Sequence, residues 1–363
     1  MAMRVLQYAK RSVTLLAAVA VALTGCGDSS PDVPFNPAGT TADVEAVNAA
    51  FGTSTMADFQ SLSMLFDAAY GAPLISSSAA ALDIRAGSAA GMRAAAVRSA
   101  QRMARLLPAG NASFGVVSAS IPAGIAGTTF EYSGGAYAAG VRTGAPANGV
   151  RFILYAVDPV TGLPTAALEE TGYVDITDLS GTTTQAARVQ VVSGSTTYID
   201  YTATANPTTG RITVVGYVTD GTYRANLNLR TTVTAAGAIT LVYSLDVPQR
   251  DVSIDLTLGA SNLDTQNPTI SINLSMSGPN GTLSMIGQFT VDGGTFTVRN
   301  GGTTLATITV TGAAEPVITG GDGLPISDED ATALRGVFDL STEAFIAFDL
   351  MLLPVLFFLA PTA

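Results

Sequence analysis

The chain has 363 residues, with 17 Lys and Arg against 28 Asp and Glu and a formal net charge of −11. That balance leaves no electrostatic footprint for nucleic acid, and with only 12% of residues charged the surface reads as polar rather than as an acidic tail. There is no histidine, no tryptophan, one lysine (Lys10) and one cysteine (Cys26), so Ser-His-Asp and Cys-His catalysis and the usual zinc, copper and haem sites are excluded. No disulfide can form within the chain, and no cofactor is indicated. What composition leaves is carboxylate chemistry, either paired Asp/Glu for glycoside cleavage or oxygen ligands for calcium.

The first element is a leader. Arg4, Lys10 and Arg11 precede an uncharged run from Ser12 to Leu23, and small residues then lead into Cys26. A positive start, a short apolar segment and small residues before a cut are the parts of an export signal. The run from Ser12 to Gly25 has 14 residues, short of the roughly 20 that cross a bilayer. Leu23-Thr24-Gly25-Cys26-Gly27 resembles the lipobox of bacterial lipoproteins. The resemblance implies cleavage between Gly25 and Cys26, a diacylglyceryl group on the Cys26 thiol and acylation of its new amino group. Membrane lipid, reached through acylated Cys26, would then be the first partner. Gly27, in place of the aspartate of inner-membrane retention, leans toward the outer membrane. Cleavage removes Arg4, Arg11 and the only lysine, which excludes Ser-Lys and Schiff-base chemistry and leaves 14 arginines against 28 acids, a charge of −14.

Residues 26–41 read as a flexible tether, because Pro31, Pro34 and Pro37 recur every third residue and favour extended, solvated backbone. Residues 42–110 read as helical. Thr55 and Asp58 resemble a capping pair, followed by an apolar stripe at Phe59, Leu62, Phe66 and Ala69. After a small-residue loop at Ser76 to Ala81, a second helix is predicted over Ser88 to Leu107. Its Arg98, Arg102 and Arg105 form a face that is either solvated or able to meet anionic headgroups or an acidic partner.

From about Asn111 the period becomes two, marking a β domain over residues 111–320. Ala225, Leu227, Leu229 and Thr231 alternate with Arg224, Asn226, Asn228 and Arg230, and Val252 to Leu258 and Ile270 to Met276 repeat the pattern. Asp158-Pro159-Val160-Thr161-Gly162 and Asn206-Pro207-Thr208-Thr209-Gly210 share a turn motif in which Asx opens, Pro presets φ and Gly closes. Pro279-Asn280-Gly281 and Asp292-Gly293-Gly294 are further hairpin signals. About eight strands are expected over 195–311, with four to six more over 111–194. Arg142, Arg151 and Arg188 stand as isolated charges and read as solvated.

The glycine-rich stretch Thr319 to Pro325 reads as the loop that ends the sheet. Residues 321–363 form an apolar helical segment: a short helix over 327–339, capped by Ser327, then Thr342 to Ala360, apolar on every side and broken at Pro354. The acids Asp322, Asp328, Glu329 and Asp330 lack calcium-loop spacing and read as complementing the helix start.

The predicted fold is mainly β (α+β): a large antiparallel meander, either a curved open sheet or a barrel-like closure, with helices at both ends packing on its apolar face. A transmembrane barrel conflicts with the helical pieces and the lack of aromatic girdles. The expected function is that of a non-catalytic, membrane-anchored envelope lipoprotein, exported and acting as a structural or partner-binding module. The alternative is a carrier of a lipid or other apolar ligand between sheet and helices, so the further partners are an envelope protein or an apolar ligand.

Overall fold

Alternation of apolar and polar residues, punctuated by Gly, Pro and Asx turns, builds one 15-stranded sheet. A computed structural model describes residues 34–69, 121–206, 209, 211–233, 238–262, 267–290, 292–311 and 315–359. The predicted helix at 88–107 and the loop at 76–81 lie outside these residues.

The strands are β1 (Thr128–Ser133), β2 (Ala136–Ala139), β3 (Gly149–Tyr155), β4 (Glu170–Asp178), β5 (Gln185–Ser193), β6 (Thr196–Asn206), β7 (Arg211–Thr219) and β8 (Arg224–Val233). They continue with β9 (Ile239–Val247), β10 (Val252–Ser261), β11 (Thr269–Gly278), β12 (Gly281–Thr290), β13 (Gly293–Asn300), β14 (Thr303–Val310) and β15 (Val317–Gly320). From β3 to β15 each strand pairs antiparallel with the next, and the sheet is open, with β2 and β15 at its edges. One pairing departs from the expected antiparallel pattern. β1 runs parallel to β3, with Thr128 opposite Val150 and Phe130 opposite Phe152, and β2 then folds back on β1. Both edge strands are four residues long, which limits the unpaired backbone offered to other chains.

Nine strands, not eight, fill 195–311. The extra edge strand β15 takes Thr319 and Gly320 out of the expected terminal loop. Pro279 and Asn280 close the β11–β12 hairpin, with Gly281 at φ 104°, a conformation that suits glycine alone. The turn at Asp158 forms as read: its carboxylate accepts from the Val160 and Thr161 amides at 2.8 and 2.9 Å. It does not close a tight hairpin, however. It sits inside the connection between β3 and β4, where Val157 and Pro164 form a single bridge.

Three helices are described: α1 (Pro37–Phe51), α2 (Ser54–Ala69) and α3 (Asp328–Leu359). α1 begins within the stretch read as tether, because Pro37 occupies the first turn, where its missing N–H costs nothing, and Asn36 caps the Gly39 amide at 2.9 Å. α2 is capped by Thr53, whose hydroxyl accepts from the Met56 amide at 3.0 Å, and not by the expected pair of Thr55 and Asp58. Thr55 and Asp58 are both buried. Ser327 caps α3 as expected, accepting from the Asp330 amide at 3.1 Å. The two predicted C-terminal pieces are one continuous helix, with Pro354 close to its end.

All three helices contact strands of the sheet. α1 packs mainly on α3 and meets the sheet at β7 and β8, α2 packs mainly on α3 and meets β3–β6, and α3 itself meets β5 and β6. Phe338 of α3 meets Phe296 of β13 edge-on, with ring centroids 5.6 Å apart. On the opposite wall the buried Tyr201 hydroxyl of β6 donates to the Met351 carbonyl, in the turn that Pro354 weakens. A Cβ at Gly287 on β12 would collide with the Thr295 carbonyl and the Phe296 ring, so glycine there lets Phe296 reach inward.

Candidate functional site

Two faces offer themselves for function. The inner face is a single apolar core that runs from Val150 on β3 to Val310 on β14 and takes in Val44 and Val47 of α1, Phe59 and Leu62 of α2, and Val337, Phe338, Leu352 and Val355 of α3. Each such side chain removed from water contributes about 1.5–3 kcal/mol.

The Tyr201 and Tyr243 hydroxyls are buried within this interior, whereas the carboxylates that enter it do so near the strand ends. Asp43 of α1, with 3% of its side chain exposed, accepts from Arg250 in the β9–β10 turn at 2.6 Å and from Asn280 in the β11–β12 turn at 3.0 Å. Asp58 of α2 accepts from the Thr171 hydroxyl of β4 at 2.6 Å and from the Val157 amide. Burial raises the Asp58 carboxyl above its ordinary 3.8, and those two hydrogen bonds offset the rise only in part. Burial likewise pushes the Tyr137 phenol upward, while its hydroxyl donates to the Ile153 carbonyl at 2.8 Å.

The outer face is laced by cross-strand pairs. Arg151 of β3 makes a two-pronged bond to Asp175 of β4, both contacts at 2.7 Å, and stacks over the Tyr173 ring at 3.7 Å. Arg188 of β5 holds Asp200 of β6 at 2.8 and 2.7 Å. Arg224 of β8 stacks over Tyr217 of β7 at 3.7 Å. Arg142, in the segment after β2, bridges Glu131 of β1 and Glu170 of β4, and its hydrogen bonds hold the Glu170 carboxyl below its ordinary value. The arginines read as solvated, Arg142, Arg151 and Arg188, are thus each committed to carboxylates. Register explains the strand pairs: in an antiparallel ladder opposite and diagonal side chains are neighbours, so Arg151 stands opposite Asp175, and Arg188 reaches Asp200 diagonally.

Chemically, these arrangements fasten strands and helices together. Arg142, Arg151 and Arg188 pair with Glu131, Glu170, Asp175 and Asp200, and the buried Asp43 and Asp58 are spent on Arg250, Asn280 and Thr171. Among the described residues, no group of three or more His, Cys, Asp or Glu side chains is placed to hold a metal ion. Also among them, no helix is long and apolar enough to cross a membrane. Asp328, Glu329 and Asp330 occupy the first turn of α3, where they complement its dipole, and Asp322 accepts from the Leu324 amide at 2.9 Å.

The predicted cleavage and lipidation residues, Gly25 and Cys26, lie outside the described residues, as do Arg98, Arg102 and Arg105. The structural residues that sequence reasoning missed are Asp43, Arg250 and Asn280. One signal was present: Asp43 falls on the stripe of Val47 and Ala50, and an acid on an apolar helix face needs a buried partner. Its distance in sequence from Arg250 hid which partner that is. Comparison with protein-family models, with curated proteins and with solved structures returns no match.

Proposed function

We propose that the protein is a non-catalytic lipoprotein of the cell envelope, exported, anchored through acylated Cys26, and serving there as a structural or partner-binding module. On this reading the leader is removed at Gly25, and the helices from both ends of the chain exist to close the apolar face of the sheet. The observation that carries it is the continuous core: side chains of α1, α2 and α3 occupy the inside of the sheet, with Phe338 against Phe296 and Tyr201 tied to Met351. A carrier would need that volume for its cargo. Carboxylates are the one catalytic resource left by a sequence without histidine, and those of Asp43, Asp58, Asp175 and Asp200 are engaged in holding elements together.

Native mass spectrometry of the full chain, expressed in a bacterial host and extracted from membranes in mild detergent, tests this. The expected mass is that of residues 26–363 plus covalent lipid on the N-terminal cysteine, with nothing further bound. A stoichiometric apolar molecule released on denaturation would replace the module with the carrier. An unmodified Cys26 would remove the anchor.

A further inference from the structure

The polypeptide enters the folded body at one end of the strands. Asn36 caps α1 and donates through its side-chain amide to Asn280 at 2.9 Å, and Asp43, two turns into α1, grips both Asn280 and Arg250. These bonds pin the start of α1 to the rim that carries the β5–β6, β7–β8, β9–β10, β11–β12 and β13–β14 turns. The turns β6–β7, β8–β9, β10–β11 and β12–β13 lie on the opposite rim. The two rims are separated by the length of a strand such as Arg211–Thr219, about 30 Å.

We propose that the Asn280 rim is the membrane-facing end of the molecule, resting over lipid headgroups, and that the opposite rim points away; the proposal rests on Cys26 carrying the anchor. Ten peptide steps separate Cys26 from Asn36 and reach at most about 36 Å. The point where Asn36 meets Asn280 is therefore held within about 36 Å of the bilayer, while the other rim is free to swing outward. Charge decides the swing. A body with 14 arginines against 28 acids is repelled by anionic headgroups, so lying flat costs more than standing. The near rim is polar, with Asp220 and Asp251 in its turns and Arg250 already committed to Asp43, so it sits at the headgroups without entering hydrocarbon.

The test uses the full, processed chain with one added thiol, Thr222→Cys on the near rim or Asp292→Cys on the far rim, both exposed turn positions. Each is labelled with a donor fluorophore and reconstituted into phosphatidylethanolamine–phosphatidylglycerol vesicles bearing an acceptor on the headgroup. The lipid-blocked Cys26 stays unlabelled. Several-fold greater energy transfer from position 222 than from 292 is expected, and Ser195→Cys and Thr209→Cys form a second near and far pair should either variant fold poorly. Equal transfer, or more from 292, in protein whose intact mass shows the lipid would overturn the orientation alone. An intact mass without lipid would overturn the anchor and the orientation together.

Discussion

Strands β3–β8 and strands β9–β14 share one alternation and one core, yet they are held from opposite sides by different means. Over β3–β8 the outer face carries two-pronged Arg–Asp pairs and Arg–Tyr stacks, and the inner face has helices packed along it. Over β9–β14 the outer face is mostly hydroxyl and amide, with Ser244 on Asp255, Ser277 on Thr282, and Thr297 and Thr307 directly opposite. Helix and turn meet on this wall through Phe296 on Phe338, and through Arg250 and Asn280 on Asp43. Both walls share the apolar core; the first adds charged and stacked pairs on its outer face, and the second adds an aromatic contact and the Asp43 clasp. Damage should therefore be graded in the first and abrupt in the second.

The sharpest way to break this contrast is Phe296→Ala. It empties the space between Gly287, Phe289 and Phe338, and should cost about 3–5 kcal/mol, read as a lower urea midpoint. A loss under 1 kcal/mol would mean that the second wall is not held by its aromatics. Next comes Asp43→Ala, which strands the partly buried Arg250 and frees Asn280; about 2–3 kcal/mol should be lost by the same measurement. Asp58 probes the first wall through pH. Its folded value lies above the ordinary 3.8, so the native state holds the proton more tightly than the unfolded chain. The stability this supplies is complete below the ordinary value and is lost as pH rises through the raised one. Asp58→Asn should remove that slope, and a difference between the two proteins that stays constant with pH would contradict the assignment. The smallest effect concerns the outer faces. A double-mutant cycle on Arg188 and Asp200 should give about 0.3–1 kcal/mol and shrink in high salt, whereas one on Ser277 and Thr282 should ignore salt.

Much of the sheet was legible because period-two patterning and turn chemistry are local. Ala225, Leu227 and Leu229 are buried while Arg224, Asn228 and Arg230 are exposed, as their alternation requires. The Ser327 cap was legible for the same reason. Three features were not. The parallel β1–β3 pair depends on which strand a segment meets, which alternation does not encode. The unbroken α3 depends on tertiary packing of Phe338, Met351 and Val355, which overrides the interruption at Pro354. The arginine partners depend on register, which the sequence specifies only once the strands are counted. For Arg142, the carboxylates come from two strands on either side of β3.

The order in which strands pair has a consequence for how the molecule is made. From β3 onward each strand needs only its predecessor, and the connections from β4 on are short, so pairing can advance along the chain with little entropic cost at each step. α3 is different: the bond between Tyr201 and Met351 closes a separation of 150 residues. A chain emerging amino end first would display the inner side of its sheet to solvent until that last helix arrives. The interval between the two events is when such a chain most needs a chaperone.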